Sequence, residues 1–162
     1  TGEVMGMDRN FARAYAKAQL GAGVRLPSQG TCFISVKDKD KSAVILMAWQ
    51  LINLGFDIIA TAGTASALQE AGVPVRRVNK VHEGQPHIGD AIINGDVQMI
   101  INTTASGPAM LKDKFSIRRV ALARGVAQYT TIPGARAAIE AIAAMQSGSL
   151  EVQSLQRYLK AS

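Results

Sequence analysis

The stretch best suited to chemistry is Thr61-Ala62-Gly63-Thr64-Ala65-Ser66, set between an apolar run, Phe56 to Ala60, and a helical run, Ala65 to Ala71. A strand that turns through a glycine and two hydroxyls into a helix aims unpaired N–H groups and the positive end of a helix dipole at one spot. Such a spot favours an anion, above all a phosphate. Four other apolar runs also give way at once to small, hydroxylated or basic residues. They lead into Lys37-Asp38-Lys39-Asp40-Lys41, Asn79-Lys80-Val81-His82-Glu83-Gly84, Asn102-Thr103-Thr104-Ala105-Ser106-Gly107 and Thr130-Thr131-Ile132-Pro133-Gly134. If the five runs are parallel strands, all five polar turns share one edge. Lys41 and Lys80 are the ammonium groups to aim at a phosphate there, with Thr61, Thr64, Thr103 and Thr104 as hydroxyl donors. Each feature alone has a plainer reading, since a Thr at a helix start is a cap and a lone Lys is a solvated charge. Their convergence on one edge carries the argument.

Other chemistries find little support. G-x-x-x-x-G-K-[ST] is absent, and the first turn holds no G-x-G-x-x-G. His82 and His87 are off the same-face spacing of a helical metal pair, so no metal site is expected. No nucleophile-elbow pattern occurs, and Asp90 and Asp96 read as solvating their helix and turn. The single cysteine, Cys32, falls in an expected strand and reads as a small buried residue.

The elements that must position these residues follow from periodicity. Asp8 is the expected cap of a helix Arg9–Leu20 with Phe11, Ala14, Tyr15, Ala18 and Leu20 on its apolar face. Gly21 to Gly30 is the expected linker. Strands are predicted at 31–36, 56–60, 73–78, 97–101 and 126–129. Helices are predicted at 41–54, with Asp38 or Asp40 as cap, and at 65–71, 87–94, 117–124 and from Pro133 to Met145, with a terminal helix in 151–160. Strands alternating with helices imply an α/β domain of three layers, a Rossmann-like five-stranded parallel sheet flanked by helices. Ligands of such sheets bind beyond the carboxyl ends of the strands.

Composition agrees with a folded domain: 48% of the 162 residues are apolar and 19% charged. The net charge of +6 suits an anionic ligand, but the 18 basic residues are scattered, so nucleic acid is not an expected partner. No apolar stretch reaches the length of a membrane span, and no charged-then-apolar leader opens the chain. A start at Thr1 without methionine reads as a piece of a longer, cytoplasmic polypeptide.

Several strings carry a family resemblance. Thr1-Gly-Glu-Val-Met-Gly6 precedes Phe11 to Gly21, followed by Asn79-Lys-Val-His-Glu-Gly84, Pro86-His87-Ile88 and Ile101-Asn-Thr-Thr104. In this order they closely resemble the carboxyl-terminal allosteric region of the carbamoyl-phosphate synthase large subunit, over nearly the whole chain. The resemblance implies that residues 1–23 are the tail of the preceding synthetase (ATP-grasp) half and that residues 24–162 form a methylglyoxal-synthase-like allosteric domain. It implies a regulatory nucleotide site, where UMP inhibits and IMP activates in the bacterial enzymes. The family's phosphate and ribose contacts fall on Lys41, Thr61, Thr64, Lys80, Asn102, Thr103 and Thr104, and a ribose-binding acid is matched by Asp113 after one extra residue. The stretch Ala105 to Phe115 should face the base. An ornithine site is implied at Thr130, with Gln128 at the family's Tyr position and Tyr129 next to it.

By the same resemblance the domain has no catalytic residues, metal or cofactor of its own. The parent enzyme, a glutamine-hydrolysing ligase, would use ATP with Mg or Mn, and K. Implied partners are the remainder of the large subunit, the glutaminase small subunit, small-molecule effectors and further copies in a homo-oligomer. The helix Arg9–Leu20 and the linker after it are the expected route by which effector binding biases the rest. A rival within the fold is methylglyoxal synthase, a phosphate-eliminating lyase. That chemistry needs a carboxylate base, and Glu83-Gly84-Gln85 stands where similar enzymes have Gly-Gly-Asp. The cyclohydrolase domain of purine synthesis shares only the first strand and the Thr-x-Gly-Thr turn. A plain interaction domain with a vestigial pocket is the last alternative.

Overall fold

The computed structural model describes residues 3–103 and 117–160. In chain order the elements are α1 (Phe11–Gly21), β1 (Gly30–Ser35), α2 (Lys41–Asn53), β2 (Phe56–Ala60), α3 (Ala62–Glu70), β3 (Arg76–Arg77), α4 (Ile88–Ile93) and β4 (Met99–Asn102). Then come α5, helical over 117–124, β5 (Ala127–Tyr129), α6 (Ile132–Gln146) and α7 (Leu155–Lys160). Short 3-10 turns at Asp38–Asp40 and Val81–Glu83 complete the set.

All strand pairs are parallel, in the order β3-β2-β1-β4-β5. The register sets Ile34 beside Ala60 and Ile101, and Ser35 beside Asn102. Alternate strand residues point to opposite faces. Cys32, Ile34, Ile58, Met99 and Ile101 pack with α1, α2, α3 and α6, while Phe33, Ile59 and Ile100 pack with α4 and α5. A strand covered on both faces must be apolar at every position, which is why β4 reads Met-Ile-Ile before its terminal Asn.

The outer elements depart from expectation. Asn10, not Asp8, caps α1, its side chain accepting from the N–H of Arg13 at 2.9 Å. The Asp8 carboxylate instead takes Lys17 at 2.7 Å and Arg13 at 3.5 Å. The apolar face is also different: Phe11 and Leu20 are 64% and 49% exposed, and Ala16 is the residue buried in the core. The reason is the neighbour, because α1 lies on α6, whose inward side is largely alanine. Gly6 is obligatory beside α1, since a side-chain carbon there would come within 2.0 Å of the Ala14 carbonyl. Lys17 also donates to the Tyr158 hydroxyl at 2.9 Å and the Met7 carbonyl at 3.2 Å, tying both ends of the chain to α1.

Strand β3 is only two residues long instead of six. Pro74 has no N–H for the ladder, so pairing with β2 begins at Arg76 and ends in the Val78 N–H to Ala60 carbonyl bond, 2.9 Å. The strand expected at 97–101 is Met99–Asn102. Helix α3 starts at Ala62, three residues earlier than expected, which puts Gly63 and Thr64 in its first turn. Helix α7 starts at Leu155.

Candidate functional site

The chain runs outward from β1 to β2 and β3, then returns to place β4 on the other side of β1. The crevice beyond the carboxyl ends of β1 and β4 is therefore the switch point where such sheets hold ligands. Three turns meet there, and hydrogen bonds stitch them together. The Thr103 N–H donates to the Ser35 carbonyl at 3.0 Å, extending the β1–β4 ladder by one residue. The Ser35 and Thr61 hydroxyls are bonded at 3.1 Å, and Thr64 Oγ1 accepts from the Val36 N–H at 3.1 Å. Thr103 Oγ1 donates to the Asp40 carboxylate at 2.7 Å.

Thr61, Thr64, Asn102 and Thr103 are all buried, and the threonines hold the turns in position. The threonines' bonds to Ser35, Val36 and Asp40 make them a frame between neighbouring turns. Backbone groups add donors at the same place. Thr61 holds the N-cap position of α3 without a side-chain cap, and Asp40 precedes α2 likewise without capping it, its carboxylate being spent on Thr103 and, at 3.6 Å, on Lys37. By contrast α1, α4 and α6 are each capped by a side chain, from Asn10, His87 and Thr131. The first N–H groups of an uncapped helix, here those of Ala62 and Gly63, have no partner within it.

Lys41 opens α2 and reaches α3. A side-chain carbon built on Gly63 would stand 3.6 Å from its Nζ, an ordinary van der Waals contact, which places the ammonium over the first turn of α3. In this structure the ammonium is paired with Asp38 at 2.8 Å, and Lys41 holds the Asp38 carboxyl below the usual carboxylate range.

The structure thus brings together Lys41, Thr61, Thr64, Asn102 and Thr103. Lys80 stands one strand further out, after β3, half-buried, with its backbone N–H donating to Glu83 at 3.0 Å. Among the described residues it is not part of the bonded cluster. Thr104, Asp113 and the stretch Ala105 to Phe115 lie outside the described residues. Ser35, Val36, Asp38 and Asp40 are not among the site residues expected from the sequence; the alternating Lys-Asp-Lys-Asp-Lys run is the signal for the two aspartates, and Ser35 and Val36 carry none.

Thr130 and Gln128 line a separate cavity of about 490 Å³ between β5, α5 and the end of α1, together with Gln19, Arg118 and Leu122. The Gln128 amide nitrogen is buried in its wall without a hydrogen-bond partner. Tyr129 points to the opposite face of β5, where its hydroxyl donates to Gln19 Oε1 at 3.1 Å and burial raises its pKa. It therefore does not stand in for a tyrosine at position 128. Cys32 is fully buried and its thiol is pushed far above the usual range by desolvation. Among the described residues no three His, Cys, Asp or Glu side chains converge as a metal-holding group, and no helix is long and apolar enough to cross a membrane.

A family model described as MGS-like domain matches residues 43–130, more than half of the chain. The carbamoyl phosphate synthase large chain of Mesorhizobium japonicum is 53% identical over 158 residues, 98% of this chain and 14% of that protein. The large chain of a Nostoc species is 50% identical over 158 residues, again 98% and 14%, and that of Pseudomonas aeruginosa 52% over 142 residues, 88% and 13%. The chain spans about a seventh of the length of these relatives, 14%. Matched by that family across most of its sheet, and folded as an all-parallel five-stranded sheet between helical layers, the chain belongs to the MGS-like domain family and is similar to one region of the carbamoyl phosphate synthase large chain.

Proposed function

We propose that this domain binds a nucleoside monophosphate at the switch-point crevice and regulates a larger carbamoyl phosphate synthase without chemistry of its own. The observation that carries the reading is the uncapped start of α3, with the Lys41 ammonium at the head of α2 lying over its first turn. The open N–H groups and positive dipole end of α3, with the ammonium beside them, complement a phosphate. The buried threonine frame keeps them in register before the ligand arrives, which lowers the ordering cost of binding. Lys80 supplies a second ammonium from the β3 side, Asn102 contacts the sugar-phosphate, and Thr104 and Asp113 complete the phosphate and ribose contacts.

UMP as inhibitor and IMP as activator are the effectors by family resemblance. The ATP, Mg or Mn, and K requirements belong to the parent ligase, which is cytoplasmic and works with a glutaminase small subunit, in homo-oligomers. Residues 1–23 are the tail of its preceding synthetase half, and 24–162 the regulatory domain. A lyase of this fold needs a free carboxylate base; among the described residues the crevice carboxylates, Asp38 and Asp40, are each paired with a lysine, and position 85 is an amide.

Effector control requires different affinity for two states, typically about 1–3 kcal/mol of coupling. The Tyr129–Gln19 bond links the sheet's carboxyl edge to α1 and is the contact through which that bias reaches the preceding residues. Calorimetric titration with UMP and IMP, beside Lys41→Met and Lys80→Ala, tests the reading. Loss of one charge-assisted phosphate bond should weaken binding by about ten- to a hundredfold. Equal affinity in wild type and both variants would refute it.

A second reading concerns the Gln128–Thr130 cavity, where the unpaired Gln128 amide favours a ligand such as ornithine. Ornithine titration of wild type against Thr130→Val decides it, and an absence of saturable heat in wild type would end that reading.

A further inference from the structure

The run Lys37-Asp38-Lys39-Asp40-Lys41 puts two carboxylates at the mouth of a crevice whose other features attract an anion. They are held very differently. Asp40 is fixed by the Thr103 hydroxyl at 2.7 Å and by Lys37 at 3.6 Å, inside the frame that aligns β1 with β4. Asp38 is 95% exposed and projects from the turn, yet its Oδ1 sits 2.8 Å from the Nζ of Lys41, whose own side chain is only 29% exposed. The carboxylate therefore already occupies one hydrogen-bonding position of the ammonium that the crevice offers.

We propose that Asp38 is the internal competitor for the anion at Lys41 and thereby sets how tightly this site holds a phosphate. The inference rests on the phosphate-site reading above. An anion arriving at Lys41 must displace the Asp38 carboxylate or bind beside it. Displacement costs the ion pair, and binding beside it places two negative charges within a few ångströms. The exposure of Asp38 makes the first route the easier one, because an exposed pair is weak and its side chain swings into water without desolvation. The competitor thus tempers affinity without closing the site. Asp40 has no such role, since its removal would break the Thr103 bond.

The test is a double-mutant cycle read by titration with UMP and with orthophosphate at low ionic strength: wild type, D38N, K41M and D38N/K41M. Because Asp38 is almost wholly exposed, D38N should fold as wild type; Asp38→Ser is the second variant. D38N should bind both ligands about two- to fivefold more tightly than wild type, and the gain should shrink at high salt. It should vanish when D38N/K41M is compared with K41M. Identical affinities in wild type and D38N overturn the competitor role and leave the nucleotide reading standing. A gain that persists in the K41M background also overturns it, as it would reflect net charge alone. Absence of binding in all four proteins overturns both.

Discussion

Thr64 Oγ1, in the first turn of α3, accepts a hydrogen bond of 3.1 Å from the backbone N–H of Val36, the residue that follows β1. The bond fixes the start of one helix against the end of a neighbouring strand, at the point where both border the crevice. Thr64→Val keeps the shape but leaves the buried Val36 N–H unpaired, at a cost of about 1–3 kcal/mol. Thr64→Ser should restore most of it. Thermal melts of the three proteins measure this, and a valine variant as stable as wild type would mean that the bond is dispensable.

The Asp8–Lys17 pair makes stability pH-dependent. The hydrogen bond from Lys17 holds the Asp8 carboxyl below its ordinary range, and Asp8 in turn, with Tyr158, holds the Lys17 ammonium above its own. A depressed carboxyl contributes stability that is present above its unfolded pKa of about 3.9 and lost as pH falls through the folded value. A raised ammonium contributes below about pH 10.4 and loses it as pH rises through the folded value. Asp8→Asn should therefore cost about 1 kcal/mol across the neutral range, with wild type and variant converging as pH falls through the depressed folded value of the Asp8 carboxyl. Melting temperature against pH for both proteins reads it; a constant gap down to strong acid would contradict the assignment.

Gln128 carries a buried amide nitrogen with no partner. Replacing an unsatisfied donor with an apolar group of similar size removes a desolvation penalty of about 1–3 kcal/mol. Gln128→Leu should consequently raise the melting temperature of the ligand-free chain. A lower melting temperature would show that the amide is bonded in solution.

Tyr129 and Gln19 are joined across the cavity wall at 3.1 Å. On the proposed regulatory reading, Tyr129→Phe should leave UMP and IMP affinity within about twofold of wild type while reducing their effect on the proposed parent synthase, because binding and coupling are separate free energies. Full effector control in that variant would route the coupling elsewhere.

The parallel sheet was legible because each apolar run ends in turn chemistry that leaves a strand for a helix. Lys41, Thr61, Thr64, Asn102 and Thr103 were legible as neighbours for the same reason: in a parallel sheet all such turns share an edge. Their bonding was not. The contacts Ser35–Thr61, Val36–Thr64 and Asp40–Thr103 join residues 26, 28 and 63 positions apart, and they depend on strand register and strand order. In α1 the expected stripe holds at Tyr15, which packs on the core, and fails at Phe11 and Leu20, because periodicity finds a stripe without knowing its neighbour. The alanine-lined face of α6 admits Ala16 closely and leaves Phe11 and Leu20 outside. Asp8 looked like a cap because its residue type suits one, but a carboxylate within reach of Lys17 and Arg13 gains more from the two cations.

The most direct test of the central claim locates the ligand. Amide resonances of the uniformly labelled chain should be followed during titration with UMP. The account predicts saturable shifts that are largest for Ala62, Gly63 and the first turn of α2, abolished by Lys41→Met. Saturable shifts centred on β5 and α1 that leave the α2 and α3 starts untouched would contradict it.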